Sequence, residues 1–381
     1  MAAVPNVTTG SSGGHVGDLP ECSYAAAPHD WYVLYRFILD VIVVSCLIMV
    51  GFVGNTLSFV VLHKDKSWST THFLLQCLAL ADTLFLVGCI LFQTLPHIFP
   101  YTGVFAEYYQ HYPTIMLYLW PCGIMVQTAR NWITVTVTVE RFVAIRVPLK
   151  APQICTLRNV RICVTVVVVF AVGFNVPRFF ATEEYQCWDA GANATVVELV
   201  QRTDFLYATV YSVFLYYAFI GIGPLLILTV LNVQLMVIIR RSDRQRMRMG
   251  ARGGGGGQSQ RSDVNRMLIF VISVFIVCET PAAVYQVLAF TGQPWSEYVA
   301  PFTNMLVTLN SSVNFFVYCL AGTKFRRILK TMCGRRWRRL HRSNGESTFD
   351  RSCMTSSTQC SAKYTAARNH LSAGTVIESY A

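Results

Sequence analysis

Charge is scarce along this chain. Only 13% of its 381 residues are Asp, Glu, Lys or Arg, against about 25% in an ordinary soluble domain. Hydrophobic residues make up 53%, and the mean hydropathy is +0.42. A water-soluble enzyme is hard to build from such a composition. Other absences narrow the field further. The 13 cysteines form no CxxC pair and no His/Cys cluster at metal-ligand spacing, so neither a zinc module nor a disulfide-rich secreted scaffold is expected. No nucleophile–base pair and no phosphate loop is visible, so no catalytic residue, cofactor or metal is implied. Near Met1 there is no apolar h-region; the expectation is that no signal peptide is cleaved and that the first span directs insertion.

What the chain does have is length in its apolar blocks. They run 37–62, 72–96, 114–139, 160–180, 206–239, 267–291 and 299–321. A helix needs about 20 residues to cross the hydrocarbon core. In lipid only helices and closed barrels satisfy every backbone hydrogen bond, and barrel strands are short and alternating. The blocks therefore predict an all-α membrane protein, a seven-transmembrane helix bundle. The +11 net charge is concentrated at 63–71, 140–159, 240–266 and after Lys324, whereas Glu107, Glu183, Glu184 and Asp189 lie on the other side. Positive residues mark the cytoplasmic side, so the N-terminus is expected outside, and the charge reads as a topology signal with no nucleic-acid partner. The sequons at Asn6 and Asn193 then fall outside as glycosylation sites.

Four regions follow: an extracellular, disordered segment at 1–35, the bundle at 36–322, a short amphipathic cytoplasmic helix at 323–334 and a disordered tail at 335–381. In the third, Phe325, Ile328 and Leu329 share one face and bases the other, a pattern for membrane lipid at the inner interface. Cys333 beyond it is a candidate for palmitoylation. The Ser/Thr-rich tail suits phosphorylation and an arrestin-like partner.

Polar residues inside the spans are few, and each is costly to bury. In order they are Gly54-Asn55, Asp82 in LALAD, Glu140-Arg141-Phe142 followed by Pro148-Leu149, Pro177, Pro224, Cys278-Glu279-Thr280-Pro281, and NSSVNFFVYC at 310–319. Their order and spacing resemble the rhodopsin-like (class A) G-protein-coupled receptors over residues 37–333. Within that family, VTVTVERF at 135–142, Gln127-Thr128 and the 310–319 segment are similar to invertebrate neuropeptide receptors of the FMRFamide and myosuppressin group. The resemblance implies a heterotrimeric G protein as partner and an extracellular peptide as ligand. It implies that Arg141 meets the G protein, that Glu140 holds it at rest, that Asn314 and Tyr318 form a switch, and that Pro281 is a kink above Phe275.

Departures from the family are informative. Gly123 stands where amine receptors place an aspartate, and Thr308 where opsins carry lysine, so amine and retinal ligands are not expected. Arg130 occupies a position that is small and polar in related receptors and helps hold sodium against the counterpart of Asp82. Glu279 replaces a tryptophan. Unpaired, either would cost several kcal/mol. The expectation is that Arg130 fills the sodium pocket and bridges Asp82, with Glu279, Asn310 and Asn314 completing the cluster; alternatively Glu279 contacts ligand. Candidate ligand-binding residues are Gln93, Gln127, Tyr216, Glu279, Gln286 and Asn304. The resemblance places a disulfide at Cys187, with Cys22 or Cys122 as partner; the Cys122 pairing would need the second outer loop to dip or the third helix to start irregularly, as at Pro121. The competing readings are a class A receptor for a non-peptide ligand and a seven-span transporter with Asp82, Arg130 and Glu279 as an ion relay, for which internal repeats are not seen.

Overall fold

A computed structural model describes residues 30–65, 69–189, 194–201, 204, 206–248, 273–288, 296–321 and 325–332. The chain divides into two units, residues 1–325 and 326–381. In the first, the helices are α1 (Asp30–Lys64), α2 (Thr70–Thr102), α3 (Ala106–Arg146), α4 (Leu157–Phe180), α5 (residues 206–248), α6 (Ser273–Leu288) and α7 (residues 296–321, broken at Val313). Residues 326–332 of the second unit are helical. Between α4 and α5 an antiparallel hairpin pairs β1 (Thr182–Asp189) with β2 (Ala194–Gln201), Cys187 opposite Val196. That hairpin was not anticipated, although TEEYQCWD and ATVVELVQ are rich in the β-branched and aromatic residues of strands.

Four helices, α1, α2, α4 and α5, are each long and apolar enough to cross a bilayer by themselves. α3 carries more polarity and stays helical because its threonines bond within the helix. Thr128, Thr134, Thr136 and Thr138 each donate to the carbonyl four residues back, at 2.7–2.9 Å. The helix runs unbroken through Pro113 and Pro121, so the irregular start considered at Pro121 does not occur. α1 begins at Asp30, before the expected boundary at 36, and α5 carries helix to Arg248, into the stretch read as loop.

The bundle is apolar outside and buries many polar side chains among its apolar core residues, unlike a soluble protein. Met49, Val53, Val169, Phe214 and Val277 are all more than half exposed, while Asn55, Asp82, Thr128, Arg130, Asn175 and Ser311 are buried. Lipid cannot drive helices together as water does, so close backbone approach matters. A Cβ on Gly54 would lie 2.8 Å from Phe315 Cβ, and one on Gly51 would lie 2.5 Å from Leu86 Cδ1 and 3.2 Å from Ser312 Cα. These two glycines set the contact of α1 with α2 and α7.

Prolines free backbone carbonyls that lipid cannot satisfy, and neighbouring side chains take them. Pro96 leaves the carbonyl of Phe92 without its helical donor; the Tyr112 hydroxyl donates to it at 3.3 Å, and Tyr108 donates to Leu91 O at 2.6 Å. Pro224 does the same to Ile220, whose carbonyl accepts from Asn131 Nδ2 at 3.2 Å; Trp132 Nε1 donates to Phe219 O at 2.8 Å. Around both sites the helix widens to π turns, at Ile90–Thr94 and Tyr217–Gly221. All four donors come from α3.

Two consequences for stability follow. Gly54→Val, which forces α1 off Phe315, should cost about 1–3 kcal/mol by overpacking and lower the unfolding midpoint of detergent-solubilised protein. Asn131→Leu should destabilise by about 1–3 kcal/mol, the penalty for an unpaired buried acceptor, in the same thermal assay.

Candidate functional site

The polar residues of four helices meet around one guanidinium. Arg130 on α3 is 1% exposed. Its Nη2 lies 2.5 Å from Glu279 Oε1 on α6, and its Nη1 donates to Ser311 Oγ on α7. Nη2 also reaches Asn131 Oδ1 at 3.4 Å, and the cationic plane lies 4.4 Å above the Phe85 ring of α2. Asn310 Nδ2 adds a second bond to Glu279 Oε1 at 3.2 Å. Asp82 is held by Asn314 Nδ2 at 2.7 Å and by a hydrogen bond with Ser311. Asn55 Nδ2 donates to the Ser311 carbonyl at 3.1 Å, tying in α1.

The expected cluster of Asp82, Arg130, Glu279, Asn310 and Asn314 is therefore brought together, with one correction. Arg130 forms its ion pair with Glu279, and reaches Asp82 through the Ser311 hydroxyl instead of bridging it directly. The hydroxyl can do this because it accepts from one side and donates to the other. Ser311 was legible in the motif as NSS but was not assigned a role.

Above the pair a cavity opens between α3, α5 and α6, lined by Gln127, Asn131, Tyr216, Phe275, Glu279 and Gln286 among others. Gln286 Nε2 donates to the Tyr216 hydroxyl at 3.3 Å, and the Arg178 guanidinium lies 4.8 Å over the Tyr216 ring. Four of the six candidate ligand residues, Gln127, Tyr216, Glu279 and Gln286, thus share one space. Gln93 and Asn304 do not line it. Thr308 lies between them, donating to Gln93 Oε1 at 3.2 Å and to Asn304 O at 2.9 Å, which places both on the α2–α7 side.

A second polar cluster was missed. Asp40 is 1% exposed in α1, 2.8 Å from Arg36 Nε, and Arg36 also contacts His97 of α2, whose Nδ1 is 2.6 Å from Gln93 O. Asp40 inside the first apolar block, four residues after Arg36, was the available signal.

At the other end, Glu140 chelates Arg141: Nε to Oε2 is 2.5 Å and Nη2 to Oε1 is 2.7 Å. Thr70 and Thr71, in the first turn of α2, donate to the same carboxylate at 2.7 and 3.3 Å. Phe275 packs on Val135 and Leu228, and Tyr318, 1% exposed, packs on Phe325. Pro281 lies within α6, two residues after Glu279. Cys187 is fully buried and disulfide-bonded, whereas Cys122 carries a free thiol whose Sγ is 3.6 Å from Tyr118 O. The Cys122–Cys187 alternative is thereby corrected: Cys122 points to an exposed face of α3 and bonds one turn back. Cys22, Asn6, Asn193 and Cys333 lie outside the described residues.

This architecture has known counterparts. Residues 54–318 match the family described as 7 transmembrane receptor (rhodopsin family), and the chain belongs to that family of multi-pass membrane receptors. It is 31% identical over 294 residues to the FMRFamide receptor of Drosophila melanogaster, covering 75% of this chain and 52% of that one. The chain thus spans about half the length of that relative. The FMRFamide peptide receptor frpr-18 of Caenorhabditis elegans is 25% identical over 75% of this chain and 68% of its own. Human galanin receptor type 2 is 25% identical over 76% and 71%.

Because Arg130 and Glu279 are buried as a pair, removing either alone should destabilise by about 3–5 kcal/mol, whereas replacing both with methionine should cost far less. Arg130→Ala is expected to lower surface expression or shift basal activity; surface labelling of Arg130→Met, Glu279→Met and the double variant checks the contrast.

Proposed function

We propose that this chain is a plasma-membrane receptor with its N-terminus outside, activated by an extracellular amidated neuropeptide of the FMRFamide type and coupled to heterotrimeric G protein. The observation that carries the reading is a cavity of Gln127, Tyr216 and Gln286 whose floor, Glu279, is bonded to the polar core of α2, α3 and α7. A ligand there touches a group that is already part of the inner machinery. Agonism would be differential affinity for the conformation in which that machinery is rearranged. The names of two relatives, both FMRFamide receptors, support the ligand class.

On this reading Glu140 and Arg141 form the resting contact, and Phe275, Pro281, Asn314 and Tyr318 are the moving parts of α6 and α7. The outer surface carries glycans at Asn6 and Asn193 and a Cys22–Cys187 disulfide. Palmitate at Cys333 and membrane lipid anchor the short helix, and the phosphorylated tail recruits an arrestin-like protein. The decisive experiment applies a panel of amidated neuropeptides to cells expressing the receptor and follows nucleotide exchange on G protein. Exchange should depend on peptide and disappear in Arg141→Ala; peptide-dependent current without exchange would favour transport instead.

Two further outcomes are expected. With the Arg130 guanidinium in the place of a sodium ion, agonist affinity should not change when sodium chloride is exchanged for choline chloride at equal ionic strength; a sodium-dependent shift would remove the substitution. Mass mapping of unreduced peptides should recover Cys22 linked to Cys187.

A further inference from the structure

The floor of the cavity holds a carboxylate that the protein itself uses only by half. Both hydrogen bonds that Glu279 accepts, from Arg130 Nη2 and Asn310 Nδ2, fall on Oε1. Glu279 lines the cavity, and Oε2 is left for an occupant. It is also the one charged side chain among the described cavity-lining residues; of the polar ones beside it, Asn131 Nδ2 is committed to Ile220 O and Gln286 Nε2 to Tyr216. The Arg178 guanidinium sits beside the cavity over Tyr216 and Tyr211, with Nε bonded to Asn175 Oδ1 at 3.1 Å, and leaves Glu279 unpaired on that side.

We infer that Glu279 Oε2 is a subsite for the cationic side chain of the ligand, a guanidinium or ammonium group, and that this cation competes with Arg130 for the same carboxylate. As Oε2 is taken up, the attraction that fixes α6 to α3 through Oε1 weakens, so recognition and release occur at one functional group. The competitor needs no new pocket, because a carboxylate accepts at both oxygens and Arg130 occupies Oε1 alone. The inference rests on the peptide-receptor reading and specifies which feature of the peptide is read.

The test uses FMRFamide and an analogue in which citrulline replaces its arginine, a neutral urea of the same shape. Potency in G-protein nucleotide exchange and competition binding are measured on the full-length receptor. On the unmodified receptor, arginine should be favoured over citrulline by about ten- to a hundredfold, the range of a charge-assisted hydrogen bond. In Glu279→Gln the two peptides should come within about threefold of each other, as a double-mutant cycle requires for a direct contact. Glu279→Gln leaves Arg130 without its anion, so the charge-free Arg130→Gln/Glu279→Gln variant, scored by surface labelling, is made alongside and should show the same loss of preference. Equal potency of both peptides on the unmodified receptor overturns the inference, as does an undiminished arginine preference in either variant. A receptor silent to FMRFamide and to the whole panel overturns the peptide reading itself, and the inference with it.

Discussion

One buried guanidinium organises this bundle. An arginine cannot shed its charge inside a protein, and here the acceptors are gathered at Nη1 and Nη2 of Arg130. Its planar fork separates two donors, one for Ser311 on α7 and one for Glu279 on α6, while its face is covered by Phe85 of α2. A lysine would crowd its three donors onto one nitrogen, without the separation of the planar fork. The pair therefore fixes the mutual position of four helices more tightly than apolar packing in lipid would, because an apolar contact exchanged for lipid loses little. The same dependence makes the arrangement bistable in principle: the guanidinium must have an anionic partner, but it need not always be the same oxygen.

α3 is also the helix that repairs its neighbours. Arg130, Asn131 and Trp132 are consecutive, and between them they hold Glu279, the Ile220 carbonyl and the Phe219 carbonyl. One turn of α3 thus contacts both α6 and the widened part of α5. Nearer the N-terminal end of α3, Tyr108 and Tyr112 do the same for α2 at Pro96. The irregular backbone of α2 and α5 is tolerated because a continuous helix, α3, carries the compensating donors. A displacement of α3 cannot stay local, since it withdraws hydrogen bonds from carbonyls that have no water to replace them.

Much of this was legible in the sequence for a simple reason: in lipid a polar residue is an expense, so each one seen in an apolar block points to a partner. Asp82, Arg130, Glu279 and Asn314 were found that way and do converge. The pairing within the cluster was not legible, because spacing along α3 gives depth in the membrane but not which side of the guanidinium faces α6. Ser311 went unassigned because a serine in a membrane helix can always bond its own backbone. Gln93 and Asn304 were grouped with the cavity by depth alone, and rotation about the helix axis put them elsewhere. Asp40 was overlooked amid strongly apolar neighbours. The hairpin between α4 and α5 escaped a reading tuned to long apolar blocks, in which sixteen strand residues register only as loop.

The inner carboxylate carries a different implication. Glu140 accepts from Thr70 and Thr71, which belong to the first turn of α2, where unpaired backbone amides give the helix end a partial positive charge. Most anions stripped of their arginine would be stranded. This one would remain solvated by two hydroxyls and a helix terminus. The Glu140 carboxylate is thus moored to α2 by contacts that do not involve Arg141, and its hold on that helix does not depend on the ion pair.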